Sequence, residues 1–146
     1  MKKLIKYLTI FLIFGVVYYF IEISYSGDSS AVSVFMGGVG GIFISFINKF
    51  YSYDTPKWKQ ITLTAFIIIF IEMLTGLILK VFGIKLWDYS HNFMNVEGVI
   101  CLRYSLYWLI LSPIAIEFDD LIEWTYFGGE KPDGIKEFVK KLIKGV

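Results

Sequence analysis

ITLTAFIIIFIEMLTGLILKVF, residues 61–82, decides the fold. Apolar side chains fill it, and Glu72 is its only charge before Lys80. At ~1.5 Å per residue, an α-helix of this length is just long enough to cross the ~30 Å hydrocarbon core of a bilayer. A helix of a soluble domain would show a polar face, and none recurs here at helical spacing.

Working outward, three more apolar blocks cover residues 4–23, 32–47 and 99–116. Each is near the ~17–25 residues of a spanning helix; the second reaches that length only with Ser30 and Asn48 included. The expected fold is all-α: an integral membrane four-helix bundle. Gly37, Gly38, Gly40 and Gly41 put small residues on more than one face of the second block. Either they let a neighbouring helix approach closely, or they kink or break the helix. Lys2, Lys3 and Lys6 before the first block, with Ser29, Ser30 and Ala31 after it, imitate a cleaved signal peptide. The apolar run is longer than a signal core of ~7–15 residues, so a retained span is expected.

Composition agrees. Of 146 residues, 56% are hydrophobic and 18% charged, against about 45–50% and 25% in a soluble domain. A net charge of +1 supplies no basic field for nucleic acid. Cys101 is the only cysteine and His91 the only histidine, so no disulfide, zinc site or other metal centre is expected, and no cofactor. The chain has no P-loop, no G-x-S-x-G and no H-E-x-x-H. Enzyme chemistry is therefore not the leading expectation. His91, Asp88 and Ser90 lie too close in sequence to make a convincing triad.

Lysine placement orients the chain. Lys2, Lys3 and Lys6 precede the first block, and residues 24–31 carry no lysine or arginine. Lys49, Lys57 and Lys59 surround the second connection, and Lys131, Lys136, Lys140, Lys141 and Lys144 fill the tail. Both termini are expected in the cytoplasm of a multi-pass cell-membrane protein. The spanning domain is read as residues 1–126. Residues 127–146 are read as a cytoplasmic amphipathic tail helix lying on the bilayer surface, with Ile135, Phe138, Val139, Leu142 and Ile143 on its apolar stripe. Glu117, Asp119, Asp120 and Glu123 read as a wetted helix end.

Two places suggest chemistry. Glu72 lies near mid-bilayer, where an ionised acid costs a few kcal/mol, so it must face the bundle and be protonated or paired. Thr75 and Gly76 follow one turn on. A proton or cation site and a single structural hydrogen bond both remain open. The other place is the connection of residues 83–103, too long for an idle loop. It mixes Trp87, Asp88, Tyr89, Ser90, His91, Asn95, Glu97 and Arg103 with apolar residues. Asp88 is expected to accept from Tyr89, Ser90 or the backbone and cap a short helix, Asn95 and Gly98 to form turns, and Arg103 to pair with Asp88 or Glu97. The site residues proposed on sequence are Glu72, Asp88, Tyr89, Asn95 and Arg103, supported by Thr75, Gly76, Trp87, Ser90 and Gly98.

Glu72, Thr75, Gly76, Gly83, Trp87-Asp88-Tyr89-Ser90, Asn95, Gly98, Ile100-Cys101-Leu102, Ser105 and Trp108 together carry a resemblance. The pattern resembles the bacterial ABC-transporter type IV permease-like (CmpB-like) membrane family. In the second block this chain has its glycine run where that family more usually has proline and cysteine. The resemblance implies a small multi-span membrane protein and a transport or permease-like role. Without a P-loop, any ATP-driven role needs a separate ATPase. One four-span copy is small for a full pathway, so a homodimer or a separate membrane partner is expected. The alternatives are a non-transporting membrane regulator or scaffold, and a lipid-modifying membrane enzyme using His91 and Asp88.

Overall fold

A computed structural model describes residues 2–51 and 55–146. Among them are five helices: α1 (Lys2–Ser26), α2 (Ala31–Phe50), α3 (Lys57–Val81), α4 (Leu102–Phe127) and α5 (Ile135–Lys144). α1, α2 and α3 are each long and apolar enough to cross a membrane. α4 is as long, but Arg103, Glu117, Asp119, Asp120 and Glu123 make it more polar. It runs unbroken through Pro113 and well past residue 116, where its apolar block ends. Large apolar side chains such as Leu4, Leu12, Phe20, Phe66 and Ile110 are exposed, as on a lipid-facing surface.

α2 is the central helix, packing on α1, α3 and α4. Its glycine run does not break it. A Cβ at Gly37 would come within 2.5 Å of Tyr18 Cβ, and one at Gly41 would collide with the Phe14 ring. Across the same contact, a Cβ at Gly15 would stand 2.5 Å from the Val34 carbonyl oxygen. Small residues on both helices thus bring the backbones together, the closer-packing alternative of the sequence reading. Gly40 differs, because a Cβ there meets nothing within 4 Å. Gly41→Ala is therefore expected to lower stability by about 1–3 kcal/mol through overpacking. Gly40→Ala is expected to be neutral or stabilising by up to ~1 kcal/mol, from helix propensity. Thermal unfolding of the two variants in one detergent checks this; equal effects would remove the packing explanation.

α5 does not lie apart from the bundle. Phe138 is fully buried, with the Lys57 ammonium 4.9 Å from its ring centroid. Asp133 accepts from Lys141 at 2.6 Å and lies 3.7 Å from Lys57, and the Gly134 N–H donates to Glu117 Oε2 at 2.6 Å. The apolar stripe divides: Phe138 and Leu142 turn to the bundle, while Ile135, Val139 and Ile143 stay exposed.

The acids at the end of α4 are not a wetted helix end. Asp119 is fully buried, and Glu117 is buried too. Asn48 donates to Asp119 at 2.9 Å and to Asp120 at 3.2 Å. Ser45 donates to Glu123 at 3.0 Å, and Lys6 pairs with the same carboxylate. The correction has a simple cause. α4 leaves its apolar stretch without leaving the bundle, so its inward face meets α1, α2 and the tail rather than water.

Candidate functional site

The connection between α3 and α4 folds back into the bundle. Glu72 lies nine residues before the end of α3, about 13 Å along the axis. Tyr89 nevertheless reaches it, donating from its hydroxyl to Glu72 Oε1 at 3.0 Å. From α4, the Trp108 indole N–H donates to Glu72 Oε2 at 2.9 Å. Glu72 is 4% exposed and, among the described residues, has no lysine or arginine paired with it.

Irregular backbone at this depth must satisfy its own polar groups or be covered by protein. Tyr89 N–H donates to the Gly98 carbonyl at 2.8 Å, and Val96 N–H to the Ile100 carbonyl at 2.9 Å. The Trp87 indole N–H donates to the Val99 carbonyl at 2.9 Å. Gly76 makes room beneath: a Cβ there would stand 2.7 Å from Val99 Cβ and 3.2 Å from the Trp87 ring. Asn95 donates to the Ser90 and Asn92 carbonyls and accepts from Gly98 N–H, so its amide is engaged as a strut. Met94 and Glu97 hold positive φ angles of 50° and 55°, uncommon for residues with a side chain.

Two expectations for this segment fail. Asp88 accepts the Ser90 N–H at 2.9 Å within a turn, as expected, but caps no helix. Arg103 pairs with neither Asp88 nor Glu97. Lys85 holds Asp88 at 2.5 Å, Lys80 holds Glu97 at 2.7 Å, and exposed Arg103 donates to the Tyr107 hydroxyl at 3.1 Å. The two lysines stand on the same side of the segment as the acids, while Arg103 opens α4 on its exposed face. The Lys85 hydrogen bond holds the Asp88 carboxyl below its ordinary value, and that of Lys80 does so for Glu97. Depressed acids stabilise the folded form above their unfolded values, and that contribution is lost as pH falls through the folded ones. The small contribution of these exposed pairs is thus expected to fade as pH falls below about 4, as hydrogen exchange of the segment over an acid series will show. Burial, then the Glu72 carboxylate, pushes the Tyr89 phenol up.

Two cavities lie on either side of Glu72's level in the chain: one lined by the connection and the end of α3, the other by the four long helices. The outer one, about 550 Å³, is lined by Gly76, Trp87, Asp88, Ser90, Asn95 and Gly98 among others. The inner one, about 280 Å³, is apolar except for Glu72, Tyr18 and Trp108. No residue lines both. Tyr89 lines neither, although its hydroxyl reaches Glu72, and its ring stacks on Tyr104 with centroids 4.4 Å apart. Thr75, Arg103 and exposed His91 line neither cavity. Among the described residues, no three His, Cys, Asp or Glu side chains converge as a metal site.

Sequence reasoning missed Trp108 as a partner of Glu72, and Asn48 as the partner of Asp119. A signal existed for the first: an indole N–H inside an apolar helix needs an acceptor.

Fold and site together define an all-helical membrane protein whose long connection between α3 and α4 closes over a buried carboxylate. The chain belongs to the family described as "Putative ABC-transporter type IV", whose profile matches residues 9–127. The match ends on the last residue of α4. No solved structure matches the chain.

Proposed function

We propose that this is a transport-related, multi-pass membrane subunit, with both termini cytoplasmic, in which Glu72 takes up and releases a proton. The observation that carries the reading is a mid-helix carboxylate, 4% exposed, with two donors, a cavity beside its side chain and, among the described residues, no paired base. Its donors are unequal. Trp108 can only donate, so Oε2 stays an acceptor; a tyrosine hydroxyl donates or accepts, so a proton belongs on Oε1, shared with Tyr89. The family's printed description supports a transport role, and the absence of a P-loop assigns any ATPase to a separate partner. The orientation is supported by Lys6, Lys57 and Lys141, which ion pairs gather at one end of the bundle.

Proteoliposomes with a trapped pH-sensitive dye test the function. Under an imposed membrane potential, the wild-type chain is expected to move protons faster than empty liposomes, and Glu72→Gln is expected to match the empty ones. Unchanged internal pH, with and without a co-purifying ATPase and ATP, would favour the regulator or scaffold instead. Orientation is checked separately in a Cys101→Ser background. External thiol labelling is expected at Ser29→Cys and not at Thr55→Cys, and the reverse pattern inverts the topology.

A further inference from the structure

The ion pairs at the C-terminal end of α4 leave three acids behind. Lys6 pairs with Glu123, and Lys57 and Lys141 pair with Asp133. Among the described residues, no lysine or arginine pairs with Glu117, Asp119 or Asp120. Asp119 is 0% exposed and Glu117 7%, while Asp120 is half-buried. Three neighbouring carboxylates away from water cannot all stay ionised, because burial and like charge both favour the protonated form.

The surroundings select among them. Glu117 Oε1 has no hydrogen-bond partner, but its Oε2 takes the Gly134 N–H at 2.6 Å, and Lys57 and Lys141 bear on the carboxylate, so it is placed to hold a charge. Asp120 keeps contact with solvent. Asp119 has neither advantage. Its Oδ2 accepts from the Asn48 amide of α2 at 2.9 Å, while its Oδ1 is buried with no partner. Asn48 Oδ1 is a second buried acceptor that lacks a donor. Orphaned acceptors on two side chains that already share one hydrogen bond call for a donor, and a carboxylic acid has one where a carboxylate has only lone pairs. The groups bearing on Asp119 are Lys6 of α1, Asn48 of α2, and Asp120 and Glu123 of α4. Lys57 of α3 and Lys141 of α5 act on Glu117 and Asp133.

We propose that Asp119 binds a proton on Oδ1 at neutral pH and, as a carboxylic acid, pairs with the Asn48 amide, tying α4 to the central helix α2. The Asp119 O–H then donates to Asn48 Oδ1 while the Asn48 N–H keeps Oδ2. Loss of the proton leaves an unpaired charge inside the bundle and removes one of the two hydrogen bonds. The site is distinct from Glu72: Asp119 lies about 16 Å along α4 from Trp108, and its proton does not depend on the reading of Glu72. A proton held more tightly by the folded chain than by the unfolded one stabilises the fold at low pH, and that contribution is lost as pH rises through the folded-state value.

The test is infrared difference spectroscopy of the full chain in nanodiscs, in a Glu72→Gln background that removes any proton held there. At neutral pH this parent is expected to show the carbonyl band of a protonated carboxylic acid, fading as pH is raised to about 9. Asp119→Asn, whose amide offers the same donor and acceptor as the acid, should fold, lose the band, and flatten the parent's fall in unfolding temperature over that range. Glu117→Gln should keep the band. Asn48→Leu should move it to higher frequency, because the carbonyl loses the Asn48 N–H. A band absent at neutral pH, or one that survives Asp119→Asn and disappears in Glu117→Gln, would overturn the proposal. A band unmoved by Asn48→Leu would separate the proton from α2 and overturn the tie as well. A parent without the band, whose unfolding temperature rises with sodium chloride and not with choline chloride, would give the site to a metal cation instead.

Discussion

Glu72→Ala is expected to destabilise the protein by about 2–4 kcal/mol, and Glu72→Gln by no more than about 1 kcal/mol. Alanine leaves two buried donors, the Tyr89 hydroxyl and the Trp108 indole N–H, with no acceptor. Each orphaned group costs about 1–3 kcal/mol in protein interiors, with the lower end appropriate in a bilayer, where interhelical hydrogen bonds average about 0.6 kcal/mol. The emptied side-chain volume adds a cavity cost. Glutamine keeps an oxygen for Trp108 and turns its amide to the Tyr89 oxygen. The hydroxyl of Tyr89 must then rotate, which is a smaller loss. Unfolding of both variants in mixed micelles measures the difference. Because Tyr89 anchors the connection between α3 and α4, the alanine variant is also expected to show faster hydrogen exchange across residues 87–100. Equal destabilisation by the two substitutions would mean that charge, rather than acceptor geometry, holds the segment.

Phe138→Ala is expected to release α5. A fully buried phenylalanine is worth about 3–5 kcal/mol on truncation. α5 has only 10 residues, and helices shorter than ~12–15 residues are marginal in water without tertiary contacts. The loss is therefore expected to appear as detachment and unfolding of the tail while the long helices persist. Trypsin should cut after Lys136, Lys140 and Lys144 at least about tenfold faster in the variant. Val139→Ala, on the exposed side of the same helix, is the control and should change little. Equal protection in Phe138→Ala would show that the Lys141–Asp133 pair and the Gly134–Glu117 hydrogen bond hold the tail without the ring.

These expectations differ in how far the sequence alone supports them. Residues 61–82 are apolar for the length of a bilayer, so α3 follows from hydrocarbon thickness and backbone hydrogen bonding. Glu72 could be singled out because an acid in such a run is costly wherever the chain folds. The glycines of α2 left close packing and a kinked helix both open, while the turn roles of Asn95 and Gly98 followed from local chemistry that needs only a few neighbouring residues.

Pairings across the bundle depend on which faces meet, and composition does not contain that. Arg103 was expected to take Asp88 or Glu97, yet both acids belong to lysines on the near side of the segment. The α4 acids read as solvated because polarity normally marks the end of a span, but Asn48 and Lys6 stand where water was expected. Length, hydropathy and turn chemistry are local quantities, so the sequence by itself determined the helices, their membrane class and the carboxylate within them. Only the tertiary structure decided that Tyr89 and Trp108, 17 and 36 residues away, share that carboxylate. Long-range hydrogen bonds are set by how helices cross and how a connection folds back, and those follow from the whole packing at once.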